Sequence, residues 1–341
     1  MLNGTSMDTI IGTIMQRYAA DASYALTEGA SGYNNTTRYI ECGGERYVMR
    51  IYETHRDSAK IRFEHSVLTL LGNKELPFGV PQPAALSDGS GSFLELEDGR
   101  YACLFRYMDG VRPNSRLPAA AAAVGETIGR LSRALAAAAP EEAPEYPPYY
   151  EMDLAHPSCG PEVVAGFCLA PPAEFADQAA ALRTILGELE RFRASLPRLR
   201  ELPHQLVHGD VNDSNLLAAP DDPARIVAVL DFEFATRDLR AMEPAVVLSG
   251  MLGDEAAERT IPAFLAGFAR HVRLSEEEAD AVPSLIKLRK LDVFVHFLGR
   301  YLDGVDGAAV LREQIGDAAA GLIGLERTGE RLAEWCRLLT E

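Results

Sequence analysis

The chain has 341 residues, 47% of them hydrophobic and 24% charged, with a formal net charge of −17. That length predicts two domains or lobes, and that composition an ordinary globular protein. The excess of acid argues against polyanionic partners, so neither nucleic acid nor an anionic membrane is expected, whereas a phosphate ligand needs only local positive groups.

The apolar run around Ala119–Ala139 carries Glu126, Arg130 and Arg133, and no run is long and charge-free enough to span a bilayer. The start of the chain, MLNGTSMDTIIGTIMQRYAA, lacks the basic residues and long apolar core of a signal peptide. Five scattered cysteines, Cys42, Cys103, Cys159, Cys168 and Cys336, show no metal-ligand spacing. A reducing, cytoplasmic setting is therefore expected.

Taken in chain order, Ile10, Ile11, Ile14 and Met15 predict a helix from Thr9 to Tyr18. SYALTEG then reads as a strand. Thr36–Cys42 and Arg46–Tyr52 read as antiparallel neighbours joined by a Gly43-Gly44 turn. Phe63, Val67, Leu70 and Leu71 predict a helix over Ser58–Leu71, and two more strands follow before Met108. From Pro118 the pattern turns helical, with Val124, Ile128, Leu131 and Leu135 on one stripe and Pro140 as its stop. The Pro-rich segment APEEAPEYPPYYEMDLAHPSCGPE reads as a surface excursion. Helices are expected over Ala173–Ser195, Ser284–Tyr301 and Gly307–Leu339, and a β-rich run at ARIVAVLDFEFA. The expected fold class is α+β: a small β-rich N-terminal lobe over residues 1–108 and a larger, mainly helical C-terminal lobe over 109–341, joined near Arg106–Gly110.

LVHGDVNDSNLLA, beginning at Leu206, interrupts an apolar stretch with His208, Asp210, Asn212, Asp213 and Asn215. Asn215 and the later Asp231 are oxygen donors suited to Mg²⁺, and Asp210 is a second carboxylate able to accept a proton from a hydroxyl. That division of labour fits phosphoryl transfer, in which the protein positions groups and neutralises charge. The alternative, an Asx-rich turn, leaves Asp231 unexplained.

HGDVNDSN followed by LDFE resembles the signature of the aminoglycoside phosphotransferase, homoserine kinase and choline kinase-like family of small-molecule kinases. RYVMRIY, RFEHSVLTLL, CLFRYMDG, VHGDVNDSNLL and VLDFEFA occur in the family's order and span most of the chain. The resemblance implies a protein-kinase-like two-lobe fold, with ATP and Mg²⁺ as cofactors. It makes Asp210 the catalytic base, or the residue that orients the substrate hydroxyl, and Asn215 and Asp231 the metal ligands. Asp210, Asn215 and Asp231 are thus the catalytic set, while His208 is expected to brace the loop.

In the N-terminal lobe the resemblance puts Arg50 of YVMR where protein kinases carry a lysine, with Glu64 as its partner. Arginine can still bind phosphate, though as a fork rather than a point charge. The bland alternatives are a surface arginine at a strand edge and Lys60 as the basic group. EGASGYNN stands where a phosphate-covering loop is expected, with Ser31 and Gly32 offering backbone amides beside Gly29. Tyr107 and Met108 at the junction are the expected adenine contacts, with Leu217 beneath the ring or simply in the core. The glycine before Asp210 and the lack of Ala-Pro-Glu after DFEFATRD argue against a peptide substrate.

The expected activity is ATP-dependent phosphorylation of a hydroxyl on a small molecule, homoserine-kinase-like or acting on an amino alcohol or sugar. Tyr149, Tyr150, Glu151 and Asp153 are available to the acceptor, while Arg237, Asp238 and Arg240 are expected mainly to tie their segment to the helical lobe. Two alternatives are an aminoglycoside-modifying kinase and a non-catalytic, pseudokinase-like nucleotide-binding regulator, the latter favoured by Arg50. No feature of the sequence selects an oligomeric state.

Overall fold

The structure, a computed structural model, describes residues 6–19, 22–28, 35–53, 57–154 and 156–341. The chain divides into two units. One comprises Met1–Gly110, Ala138–Glu145 and Val227–Glu233; the other comprises Val111–Ala137, Tyr146–Ile226 and Phe234–Glu341.

The first unit holds one antiparallel sheet in the order β1-β2-β3-β5-β4, with β1 Tyr24–Glu28, β2 Asn35–Cys42, β3 Glu45–Tyr52, β4 Phe93–Glu95 and β5 Tyr101–Arg106. Gly43 and Gly44 have φ of 62° and 82°, the left-handed conformation a two-residue hairpin turn requires. The register runs from Cys42 opposite Glu45 to Asn35 opposite Tyr52.

Alternation along the strands gives the sheet two faces. Met49, Ile51, Ala102 and Leu104 pack with Ile11, Ile14 and Met15 of α1 (Met7–Ala19). Arg50, Tyr52, Cys103 and Phe105 belong to the opposite face, which α2 (Ser58–Gly72) covers through Glu64 and His65. Asp57 caps α2 by accepting the Ala59 amide at 2.9 Å.

The second unit is helical: α3 Pro118–Ala136, α4 Pro161–Leu169, α5 Ala179–Leu199, α6 Met242–Met251, α7 Ala257–Ala269, α8 Glu276–Leu302 and α9 Ala308–Cys336. The stripe Val124, Ile128, Leu131 and Leu135 is fully buried. Helices α3 and α7 meet backbone to backbone. A Cβ added at Gly125 would strike the Phe264 carbonyl, and one at Gly267 that of Ala122; at Gly129 it would lie 2.8 Å from the Phe268 oxygen. Two short sheets, β6 (His204–Val207) with β9 (Thr236–Leu239) and β7 (Leu216–Ala219) with β8 (Asp222–Val229), frame the polar loop described below. The end of β8 enters the first unit, where Gly79 donates to the Val227 carbonyl at 2.8 Å.

Three segments differ from their expected form. The Pro-rich stretch buries Tyr150, Met152 and Cys159, because its aromatic and sulfur side chains fill gaps that a polar reading of the prolines hides. Helix α8 begins at Glu276, not Ser284, because Ser275 and Glu278 form a capping box that starts the helix upstream and leaves Pro283 inside it. Residues Ala173–Gln178 form a 3₁₀ turn ahead of α5. Among the described residues no helix is long and apolar enough to cross a membrane, and the five cysteines are unpaired.

Candidate active site

The loop between β6 and β7 is fixed from below. The amide of His208 donates to the carboxylate of Glu243, on the first turn of α6, as does that of Gly209. Gly209 has φ 80°, and an added Cβ would lie 2.9 Å from the Tyr149 ring, so the close approach also needs glycine. His208 is buried and accepts the Asp210 amide at Nδ1 (3.2 Å), the bracing part expected of it. Asn212 caps the 3₁₀ turn Asp213–Asn215 by accepting the Ser214 amide at 2.9 Å.

Asn215 points its amide nitrogen back at Asp210, donating to the backbone oxygen at 2.9 Å and to Oδ2 at 3.3 Å. The other carboxylate oxygen, Oδ1, accepts from Arg289 of α8 at 2.7 Å. Arg289 also reaches Asp292 at 3.3 Å and lies over the Tyr149 ring, 5.9 Å from its centroid. Burial raises the Tyr149 phenol well above its ordinary value and keeps it neutral.

In the first unit Arg50 stands between two carboxylates, Glu64 Oε1 at 3.1 Å and Asp231 Oδ1 at 3.2 Å. Burial opposes the arginine charge, yet Asp231 and Glu64 hold it firmly protonated. Burial lifts Glu64 to about 7 against the pull of Arg50. Tyr52 adds a hydrogen bond to Glu64 at 2.9 Å. Asp231 has φ 64°, the one left-handed non-glycine among the described residues. Such a residue carries strain of about 1–2 kcal/mol, which aspartate tolerates better than most.

Asn215 in one unit and Asp231 in the other each carry an oxygen of the kind a magnesium ion takes. Mg²⁺ takes oxygen donors and is held through one or two carboxylates plus phosphate and water. Asn215 has its nitrogen committed to Asp210, so its oxygen, which Ser214 Oγ approaches at 3.4 Å, is the atom it has for a cation, and Asp231 has a carboxylate. No cage of three or more His, Cys, Asp or Glu side chains occurs among the described residues.

Most residues predicted from sequence have a place among the described ones. Asp210, Asn215 and Leu217 lie in the second unit, with Asp210 and Asn215 in contact; Arg50, Glu64 and Asp231 meet in the first. Tyr107 carries Arg46 over its ring at 4.3 Å and donates its amide to the Arg46 carbonyl at 2.9 Å, while Met108 packs at Gly79. Ser31 and Gly32 lie outside the described residues. Of the four acceptor candidates only Tyr149 stands by Arg289. Tyr150 bonds His204 at 2.8 Å, Glu151 pairs with Arg200 at 2.7 Å and Asp153 with Arg193 at 2.8 Å. Arg240 ties its segment to α8 through Glu278 at 2.6 Å, whereas Asp238 instead accepts the Tyr149 amide at 2.6 Å. Sequence reasoning missed Arg289, Asp292 and Glu243, none of which stands in a motif.

Glu243 makes the loop's support sensitive to pH. Burial raises its carboxyl to about 7, and Oε2 is buried without a partner. The native state therefore binds this proton more tightly than the unfolded chain. Its contribution to stability is complete below the ordinary glutamate range and is lost as pH rises through about 7. Glu243→Gln keeps an acceptor for the two amides and removes the titration. Between pH 5 and 8 the wild type should lose about 2–3 kcal/mol more than the variant, by denaturant unfolding. Asp238, also raised to about 7 by burial, titrates in both proteins and largely cancels. Parallel stability curves would refute this.

Comparison with known proteins bears on the family and the fold. The family described as "Phosphotransferase enzyme family" (APH) matches residues 25–279. A homoserine kinase of Caulobacter sp. (strain K31) is 24% identical over 306 residues, covering 89% of each chain. One from Methylocella silvestris is 26% identical over 286 residues, covering 82% of each. Among solved structures, the amicoumacin kinase hAmiN in complex with AMP-PNP, Ca²⁺ and Ami superposes with a TM-score of 0.69 at 15% identity, over 95% of this chain and 94% of that one. A microcompartment-associated aminopropanol kinase gives 0.65 at 18%, over 96% and 98%. With the Asp210 loop, the Arg50–Glu64 pair and a family match across most of its length, the chain belongs to the phosphotransferase enzyme family, as a small-molecule kinase of protein-kinase-like fold.

Proposed function

We propose that the enzyme transfers the γ-phosphoryl group of ATP to the hydroxyl of a small acceptor of the homoserine or amino-alcohol kind. The observation that carries this is the Asp210 loop, whose carboxylate is held by Asn215 on one oxygen and Arg289 on the other. In the reaction the acceptor oxygen forms its bond to phosphorus as the bond to the β-phosphate oxygen breaks. Asp210 orients the hydroxyl and takes up its proton, and ADP departs. Asn215 and Asp231 would hold Mg²⁺, which would supply neutralisation of phosphate charge. Arg50, braced by Glu64, binds phosphate oxygens, joined by backbone amides at Ser31 and Gly32. Adenine is bound by the backbone at Tyr107 and Met108, with Leu217 beneath its ring. The homoserine kinases, matched over four-fifths or more of the chain, support the acceptor class. ATP use implies a cytoplasmic enzyme.

The test is incubation with ATP, Mg²⁺ and a panel of alcohols: L-homoserine, ethanolamine, choline, 1-amino-2-propanol and kanamycin. A phosphomonoester should form in step with ADP, and L-homoserine should give the highest kcat/KM. ATP that stays intact with L-homoserine and the small amino alcohols alike, or better turnover of kanamycin, would refute the acceptor class.

A further inference from the structure

Resting on that reading, the surroundings of Asp210 say something about the acceptor. A carboxylate takes up a hydroxyl proton best when no cation already sits on its oxygens. Both oxygens of Asp210 already accept a donor: Oδ2 takes the Asn215 amide at 3.3 Å and Oδ1 takes the Arg289 guanidinium at 2.7 Å. Each oxygen keeps a further lone pair, but losing a donor, a cationic one above all, makes the carboxylate a stronger base. Asn215 also bonds the Asp210 backbone oxygen at 2.9 Å, so it is anchored. Arg289 is the exchangeable one.

Arg289 is also the unexpected one. It places a guanidinium beside a carboxylate, and its planar fork binds carboxylates better than any other side chain does. Its second branch is on Asp292 at 3.3 Å, a long contact. The side chains of Asp210, Arg289 and Asp292 are 21%, 23% and 15% exposed, so each keeps some surface in reach of solvent. A neutral or purely cationic acceptor gives Arg289 nothing to bind and leaves it on Oδ1. An acceptor carrying its own carboxylate can replace Asp210 on the guanidinium at no net change of charge there.

We propose that Arg289 selects the acceptor: it binds a carboxylate on the acceptor, and that exchange releases Asp210 Oδ1 to the acceptor hydroxyl. The substrate class is then a hydroxy amino acid, with hydroxyl and carboxylate a few carbons apart, and not the corresponding amino alcohol. No covalent step beyond the phosphoryl transfer is involved.

The test uses three pairs of alcohols that differ only by the carboxylate: L-homoserine and 3-amino-1-propanol, L-serine and ethanolamine, L-threonine and 1-amino-2-propanol. For each pair phosphorylated, the ratio of kcat/KM values is measured on wild type, Arg289→Gln and Arg289→Lys. The wild type should favour the carboxylated partner by roughly 100-fold, as expected for a desolvated charge pair. Arg289→Gln should bring the ratio below about fivefold, and Arg289→Lys should restore part of it. Each ratio comes from one enzyme sample, so any misfolded fraction cancels, and a merely structural arginine would lower both rates and leave the ratio alone. A wild type that favours the amino alcohols, or an Arg289→Gln enzyme that keeps the wild-type ratio, overturns the proposal. Turnover of none of the six overturns it too. The phosphotransferase reading is then judged separately, by whether Asp210→Asn abolishes ATP turnover.

Discussion

Asp210→Asn should lower kcat by about a thousandfold or more while leaving ATP affinity within about threefold. Asparagine matches aspartate in size and keeps one acceptor oxygen for Arg289, while Asn215 keeps its bond to the backbone oxygen of residue 210 and the loop's support by Glu243 is untouched. What is lost is the anionic group that orients the hydroxyl and accepts its proton, which in general-base catalysis contributes about 10²–10⁴-fold. Single-turnover phosphorylation measured beside nucleotide titration separates the two effects. A variant within tenfold of wild type would remove Asp210 from the chemistry.

The second large effect is expected at Asp231. Its backbone is left-handed at φ 64°, so alanine there would mix a charge loss with strain, whereas asparagine adopts that conformation readily. Asp231→Asn should therefore fold normally and lose about 10²–10³ in kcat, the scale of one removed electrostatic contact. Its half-saturating Mg²⁺ concentration should rise about tenfold. Arg50, left with Glu64 as its carboxylate partner, should keep the nucleotide within about tenfold of its wild-type affinity. An unchanged rate with an unchanged Mg²⁺ requirement would refute the ligand assignment.

The parts of the molecule that sequence makes legible are those whose cause is local. Gly43-Gly44 announces its hairpin because both residues need a positive φ, and the α3 stripe announces itself by its period. The Asp210–Asn215 spacing is readable for the same reason: five residues of one loop bring the amide to the carboxylate. Arg289 is illegible because it stands 79 residues beyond Asp210, on a helix where it looks like any solvated arginine. Glu243 reads as an ordinary acidic first-turn residue, and only burial reveals its work. Tyr149 stands among the acceptor candidates read from sequence, but its burial is hidden by the prolines before it, which signal an exposed loop although the phenol ends against Gly209 and Arg289. The four-residue β9 is too short to carry a period.

The bare contact between α3 and α7 has a consequence for any mutational map of this enzyme. At Gly125, Gly129 and Gly267 even a methyl group has nowhere to go, so the two helices would have to part. A survey scored by phosphorylated product alone would mark these three sites beside Asp210 and invite a search for chemistry where there is none. Scoring soluble yield in parallel would sort them: the glycine variants should vanish from the supernatant, while the inert aspartate variants accumulate there.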